Sequence, residues 1–256
     1  MFQNVIVRTP APSLVNGITS APELGKPDYA LALRQHADYI KALERCGVKV
    51  TVLPPLEAFP DSCFVEDTAL LTQKCAIISN PGAETRTDES RYMVDTLKKF
   101  YPESAIEYIT SPGHMEGGDI MMVGDHFYIG LSARTNQEGA DQLMAALRKY
   151  GYTASIVPLH EVLHLKTGLA YLENNQLLVA GEFVTAPEFA KFNKIIIDPA
   201  DAYSANCIWV NGTVLVPAGY SKTETAIRAA GYEVIVVDTS EYRKLDGGLS
   251  CLSLRF

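Results

Sequence analysis

A run of strand, turn, strand, helix and strand recurs along the chain, and this recurrence limits the fold more than any other feature of the sequence. From Thr68 to Thr110 it reads TALLT, a Gln73-Lys74 turn, CAIIS, a helix ending near Phe100, then IEYIT. From Asp119 it reads IMMV, a Gly124-Asp125 turn, HFYIG, a helix from about Gln137 to Tyr150, then TASIVPL. From Gly168 it reads LAYLE, an Asn174-Asn175 turn, QLLVA, a short helix after Pro187, then IIID. From Asn206 it reads CIWV, an Asn211-Gly212 turn, TVLVP, a helix from Lys222 to Ala230, then VIVVD. Asn-Gly and similar pairs suit these turns because they tolerate the positive φ of two-residue hairpins.

The helix ends carry their own signals. Ser221 and Glu224 have the spacing of a capping box, and Gly151 and Gly231 stand where a left-handed residue closes a helix. The first helix follows Pro27, puts Tyr29, Leu33, His36, Ile40 and Leu43 on one face, and stops at Gly47 before the strand VKVTVLP. Its module lacks an N-terminal hairpin strand. CLSLRF (Cys251 to Phe256) can supply that strand by pairing with FQNVIVR (Phe2 to Arg8), so the expected α/β fold is five ββαβ modules with pseudo-fivefold symmetry, closed by the N- and C-terminal strands. No linker or low-complexity tract divides the chain, and residues 1–256 read as a single domain. The polar stretch from Pro10 to Lys26 is long for a connector and reads as either a lid or a plain surface loop.

Composition excludes several classes of function. Thirty acidic residues against 22 Lys and Arg leave a net charge of −8, which is wrong for a surface that neutralises phosphates, so no nucleic-acid partner is expected. No apolar run approaches the roughly eighteen residues of a membrane span. Arg8 interrupts the region where a signal peptide would be apolar, so a cytoplasmic location is expected. The five cysteines are scattered with no CxxC pair, so free thiols are expected rather than a disulfide framework or a zinc ribbon.

The repeat also indicates where chemistry gathers. Residues just before the first hairpin strand of each module occupy equivalent places, and there the chain puts Glu66 and Asp67, Glu116 and Asp119, His164, Asn206, and Ser250 with Cys251. Carboxylates, one imidazole and one thiol form an active-site inventory. A thiol attacks only as thiolate, which a bound cationic substrate would favour. The carboxylates would hold that cation while His164 moves protons. The set suits attack on a guanidinium carbon, a poor electrophile until its nitrogens are held and its charge localised.

The segments FPDSCFVEDTALL, GHMEGGDIMMVGDHFYIGLSARTN, LHLKTG and EYRKLDGGLSCLSLRF resemble the dimethylarginine dimethylaminohydrolase family of the guanidino-modifying superfamily, whose fold is a five-bladed α/β propeller. The resemblance spans essentially the whole chain. It implies hydrolysis of asymmetric dimethylarginine and monomethylarginine to L-citrulline and dimethylamine or methylamine through a covalent S-alkylthiouronium, with no metal and no organic cofactor. It implies Cys251 as nucleophile, His164 as acid and then base, and Glu116 as the acid that orients the imidazole and contacts the guanidinium. Asp67, with Glu66 beside it, matches the guanidinium carboxylate, and Arg86 and Arg134 match the pair that grips the substrate α-carboxylate. Asp61 and the main chain of Ile18 and Leu245 match contacts around the amino-acid end and the reacting end. The resemblance also implies a homodimer.

Other readings compete at single positions. Cys46, Cys75 and Cys207 read as buried packing residues. Cys63, in DSCFVED, is a rival nucleophile whose acidic neighbours would raise its pKa. His114 rivals His164, since His114-Met115-Glu116 resembles a ligand pair, but two ligands make no metal site alone. His36, His126 and His160 read as structural or surface groups, and Asp119 reads as turn chemistry. An arginine or agmatine deiminase or an amidinotransferase would use a similar catalytic set. A non-catalytic propeller that binds a macromolecule is a further alternative, though it would not need Cys251, His164 and Glu116 together.

Overall fold

Asn174 and Asn175 (φ 51° and 61°), like Asn211 and Gly212 (φ 51° and 99°), take the left-handed conformation expected of their hairpin turns. The Gly124-Asp125 turn uses it at Gly124 alone, and Gln73-Lys74 at neither residue. At that turn the Thr72 hydroxyl accepts from Lys74 N (3.1 Å) and Cys75 N (2.9 Å), so a side chain does what left-handed backbone does elsewhere.

The computed structural model describes residues 1–256. The chain opens with β1 (Asn4–Arg8), α1 (Tyr29–Arg45) and β2 (Lys49–Leu53). The next modules are β3 (Ala69–Leu71), β4 (Ala76–Ile78), α2 (Arg91–Leu97) and β5 (Ile106–Tyr108), then β6 (Ile120–Val123), β7 (His126–Leu131), α3 (Gln137–Lys149) and β8 (Thr153–Pro158). There follow β9 (Leu169–Tyr171), β10 (Gln176–Val179) and β11 (Asn193–Ile196), then β12 (Ile208–Val210), β13 (Thr213–Pro217), α4 (Ser221–Ala229) and β14 (Glu233–Val237). A single turn of helix, α5 (Ser240–Arg243), and β15 (Leu254–Arg255) complete the chain.

These strands make five three-stranded sheets on one plan. The second hairpin strand is central, antiparallel to the first and parallel to the third. A parallel neighbour requires a crossover, and the helices supply it. The exception lies between β10 and β11, where only 3-10 turns at Gly181–Val184 and Pro187–Phe189 replace the expected helix. The remaining sheet has the order β15-β1-β2, with Val5 opposite Arg255 and Ile6 opposite Leu254. The terminal pairing is therefore present but short, and Cys251 lies in the turn before β15 rather than in a strand.

The chain divides into two compact units, one of residues 1–65 and 168–256 and the other of residues 66–167. In the first, Tyr39, Leu43, Leu215, Leu249 and Leu252 belong to one core cluster, while Leu172, Leu178, Val214 and Ile227 belong to a second. In the other, Ile77, Met115, Phe127, Ile129, Leu143 and Leu147 pack together between the sheets and α3. No helix is long and apolar enough to cross a membrane.

Two helix details differ from the sequence reading. The buried face of α1 is Ala32, Gln35, His36, Tyr39 and Leu43, with Tyr29, Leu33 and Ile40 only half-buried. The stripe turns because Gln35 and Tyr39 find polar partners inside: Gln35 Nε2 donates to Ser240 Oγ (2.8 Å), and Tyr39 Oη bonds Leu249 O (2.8 Å) and Ser253 Oγ (2.7 Å). At α4 the capping box does not form. Ser221 is already helical, Tyr220 stands at the cap without a side-chain bond, and Glu224 accepts instead from Arg228 at 2.9 Å. Gly151 and Gly231 do take positive φ (81° and 94°) beyond their helix ends.

Tyr39 ties α1 to the turn that carries Cys251. Tyr39→Phe leaves Leu249 O without this buried donor and is expected to lower unfolding free energy by about 1–3 kcal/mol. Urea denaturation checks it; an unchanged midpoint would show that the bond contributes nothing.

Candidate active site

Glu66, Asp67, Glu116, His164 and Asn206 stand at or beside tight turns ahead of hairpins. Glu66 and Asp67 lie in the 3-10 turn Val65–Thr68, Glu116 precedes the turn Gly117–Asp119, and His164 precedes the turn Leu165–Thr167. Asn206 follows the turn Pro199–Ala205. The repeat thus places these four turns in one phase.

Within residues 66–167 the acids and the imidazole meet. His164 Nε2 lies 2.8 Å from Glu116 Oε2, while Glu116 Oε1 accepts from Ala83 N (3.1 Å) and faces Arg134 Nη1 at 3.7 Å. Asp67 accepts from Gly118 N (3.0 Å) and from Arg86 Nη1 (2.6 Å). Arg86 is only 4% exposed and directs Nε and Nη2 onto the two oxygens of Glu89, each at 2.7 Å. Sequence reasoning missed Glu89, whose only signal is its position three residues after Arg86. It also missed Lys166, which pairs with Glu66 Oε1 at 2.5 Å from within the His164 turn. Arg134 is the more exposed arginine, with 19% of its side chain accessible.

Two glycines make the cluster possible. A Cβ on Gly118 would lie 2.9 Å from Cγ and Nδ1 of His164, and one on Gly117 would collide with the carbonyl of Glu66. The Gly117-Gly118 pair is therefore a requirement of close approach.

These neighbours set the protonation of His164. Burial alone would lower its pKa, but the hydrogen bond to Glu116 and the charges of Asp67, Asp119 and Glu116 outweigh it and bring the value up to about 9. Glu116 shows the converse. Burial pushes its carboxyl up, yet the bond to His164 and the charges of His164, Arg86 and Arg134 hold it below the ordinary range. The site keeps an imidazolium and a carboxylate together at neutral pH, an acid poised to give up a proton. One ligand atom each from Asp67, Glu116 and His164 lies within 4.8 Å of the others, the only grouping here that could hold a metal. A metal would have to displace the proton of His164 in the face of Arg86 and Arg134, which works against the site as a metal centre.

In the other unit, Cys251 is the half-exposed cysteine, whereas the other four are buried. Burial raises the thiols of Cys46 and Cys75, and that of Cys207 to about 12. Cys63 is fully buried in a hydrophobic cluster. The Cys251 sulfur accepts from Gly248 N (3.4 Å), with Asn206 Nδ2 at 4.0 Å. Asn206 Oδ1 also accepts from Ser250 N (2.9 Å), and a Cβ on Gly248 would lie 2.5 Å from Cγ of that asparagine. Ile18, Asp61 and Leu245 converge on Gly17, whose Cβ would meet Asp61 Oδ1 and Leu245 Cδ1, and Ile18 N donates to Asp61 Oδ1 at 3.0 Å. Residues 10–26 form two 3-10 turns, Pro12–Asn16 and Pro22–Leu24. Ser20 N and Oγ bond the Asp246 carboxylate at 2.6 and 2.8 Å. A cavity of about 450 Å³ lies between this segment and Lys244-Leu245.

The remaining histidines play other parts. His114 Nδ1 faces Asn80 Nδ2 at 3.3 Å and makes no pair with Glu116, while His126 bonds Thr153 and Ser155 across its sheet. His36 is buried in α1 and its pKa falls to about 4 through burial.

The fold is an α/β one found in solved structures of other proteins. The N-terminal domain of ArgZ, an arginine dihydrolase from cyanobacteria, superimposes with a TM-score of 0.84 at 17% identity, covering 100% of this chain and 97% of that one; the likeness is one of fold. Closer relatives define the family. Residues 25–187 match the model for N,N dimethylarginine dimethylhydrolase, eukaryotic. The N(G),N(G)-dimethylarginine dimethylaminohydrolase of Pseudomonas aeruginosa is 61% identical over 256 residues, covering 100% of both chains, and that of Streptomyces coelicolor is 32% identical over 254 residues, covering 99% of this chain and 96% of its own. A cysteine-to-serine variant of the P. aeruginosa protein, complexed with citrulline, superimposes with a TM-score of 0.98 at 60% identity over 100% of both chains. A histidine-to-glycine variant of a dimethylarginine dimethylaminohydrolase, as its adduct with S-methyl-L-thiocitrulline, superimposes equally well. The chain belongs to the dimethylarginine dimethylaminohydrolase family.

Because Glu116 raises the His164 pKa, Glu116→Gln is expected to lower the imidazole titration midpoint from about 9 toward the ordinary value of roughly 6.5, read by NMR. The folded value exceeds the unfolded one, so this linkage stabilises the wild type fully below about pH 6.5 and fades as pH rises through 9. Glu116→Gln should flatten that part of the stability profile; an unchanged midpoint would remove Glu116 as its cause.

Proposed function

We propose that this protein hydrolyses Nω-methylated arginines, both the monomethyl and the asymmetric dimethyl forms, to L-citrulline and methylamine or dimethylamine. The observation that carries this reading is the protonated His164 held by buried Glu116, in a family whose P. aeruginosa member was crystallised with citrulline. The Cys251 thiolate adds to the guanidinium carbon while Asp67 and Glu116, with Glu66 beside them, hold the nitrogens. The bond from that carbon to the methylated nitrogen breaks, and the departing amine takes the His164 proton. Neutral His164 then removes a proton from water, whose oxygen adds to the S-alkylthiouronium carbon. The carbon–sulfur bond breaks, the hydroxyl proton passes to solvent as the urea carbonyl forms, and citrulline leaves with the thiolate and protonated His164 regenerated.

Arg134, the more exposed of the two arginines, is assigned with Arg86 to the substrate α-carboxylate, although Arg86 is already paired with Asp67 and Glu89, and Asp61 with the main chain of Ile18 and Leu245 surrounds the amino-acid end and the reacting end. In the same reading the 256 residues act as one domain, whose five modules close into a propeller through the terminal strands. The shared plan of the five sheets and the pairing of β1 with β15 support that closure.

Incubation with arginine, agmatine, monomethylarginine and asymmetric dimethylarginine, following citrulline and the released amine, tests the substrate. Methylated arginines are expected to be preferred, and a preference for unmethylated arginine would overturn the assignment. Cys251→Ser should cut turnover by about a thousandfold or more while the fold and ligand binding persist; a variant that still turned over would remove the thiol mechanism.

A further inference from the structure

We infer that Asp119 is a positioning residue for the proposed reaction, a buried carboxyl that fixes the His164 turn and the segment of Glu116 relative to each other. The inference rests on the functional reading for the name of the reaction, but its geometry stands independently. Asp119 is fully buried and forms two arms. Oδ1 accepts from Leu165 N at 3.0 Å, pinning the residue next to His164. Oδ2 accepts from Thr135 Oγ1 and Ser132 Oγ, both at 2.7 Å. Thr135 Oγ1 in turn accepts from Glu116 N at 3.1 Å.

The hydroxyls can have only one orientation in this network. Thr135 Oγ1 receives the Glu116 N–H, and Ser132 Oγ receives the N–H groups of Arg134 and Thr135 at 2.9 and 3.2 Å. Each hydroxyl proton is therefore free to point at Asp119; burial raises the pKa of this carboxyl, and the charge of His164 with the bonds from Ser132, Thr135 and Leu165 works against that rise in favour of the carboxylate. Gly130 makes room for it, since a Cβ there would lie 3.1 Å from Leu165 Cβ and 3.2 Å from Asp119 Oδ1. Asp119 is more than the turn residue its Gly-Gly-Asp setting suggests. It joins the 3-10 turn that contains it, the loop after β7, and the turn bearing the imidazole.

Its charge also bears on His164 directly. The imidazole faces the anions Glu116, Asp67 and Asp119, and the cations Arg86 and Arg134 act on Glu116. Losing Asp119 removes one of the three anions that keep His164 protonated.

The test is Asp119→Asn, which keeps the acceptor for Leu165 N and removes the charge, studied with Thr135→Val and Thr135→Ser. In a folded Asp119→Asn protein the His164 midpoint, read by NMR without substrate, should fall by about half a unit or more. Its kcat should fall about ten- to a hundredfold with KM little changed, because a displaced proton donor affects the chemical step. Thr135→Val should lower kcat about fivefold or more through the Glu116 arm alone, and Thr135→Ser, which retains the hydroxyl, should recover most of it. A folded Asp119→Asn protein with wild-type kcat and an unmoved midpoint would overturn the inference. If that variant does not fold, equal rates for Thr135→Val and Thr135→Ser would overturn it. A wild type inactive on methylarginines would defeat the functional reading instead, while the substrate-free titration would still decide whether Asp119 governs His164.

Discussion

The buried hydrogen bond between Glu116 and His164 is the constraint on which the surrounding structure depends. Neither partner tolerates burial alone, because dry surroundings drive a carboxylate to take up a proton and an imidazolium to lose one. Paired, they hold each other charged. Around them sit Asp67 on Arg86, Arg86 on Glu89, Arg134 beside Glu116, and Lys166 on Glu66. Each cation is met by an anion within a few ångströms, which offsets the desolvation that would otherwise neutralise the cluster.

Such a cluster requires backbones to approach more closely than most residues allow. Gly117, Gly118 and Gly130 stand where added side chains would strike the Glu66 carbonyl, the His164 ring, or Leu165 and Asp119. Gly247 and Gly248 do the same for the Cys251 turn, against Phe64 and Asn206. At these sites the glycines matter for the space they leave, whereas at Gly151, Gly212 and Gly231 they matter for positive φ. The same residue type thus meets two separate demands, one at the hairpin and helix ends and one at the chemistry.

The five-module plan explains how residues far apart in sequence come to stand in equivalent places. Three of the sheets are entered through a tight turn ahead of the first hairpin strand, and these turns with the residues just before them carry Glu66, Asp67, Glu116, Asp119 and His164. Stability is carried elsewhere, by the apolar strands and the helix faces packed on them. That division lets the turns hold charged groups without weakening the core.

Much of this was legible in the sequence. Period-2 strands, Asn-rich turns and glycine helix stops report local preferences that tertiary contacts reinforce, so the modules, the pairing of the termini and the turns that carry Glu66, Asp67, Glu116 and His164 could be read directly, whereas Cys251 falls in a turn outside the strand expected to begin with it. The buried face of α1, the replacement of the capping box at α4, the missing crossover helix before β11 and the Thr72-made turn could not. Each depends on a partner distant in sequence or on which of two side-chain bonds prevails. Glu89, Lys166 and the two-armed bonding of Asp119 were hidden for the same reason, since a lone acid or lysine looks alike whether it meets water or a buried counter-charge. The sequence by itself determined which residue types stand at the site and in what order. Only the tertiary structure decided which are paired, and hence which are charged, because the pairing energy of buried ions depends on distance and dryness that no single-residue preference records.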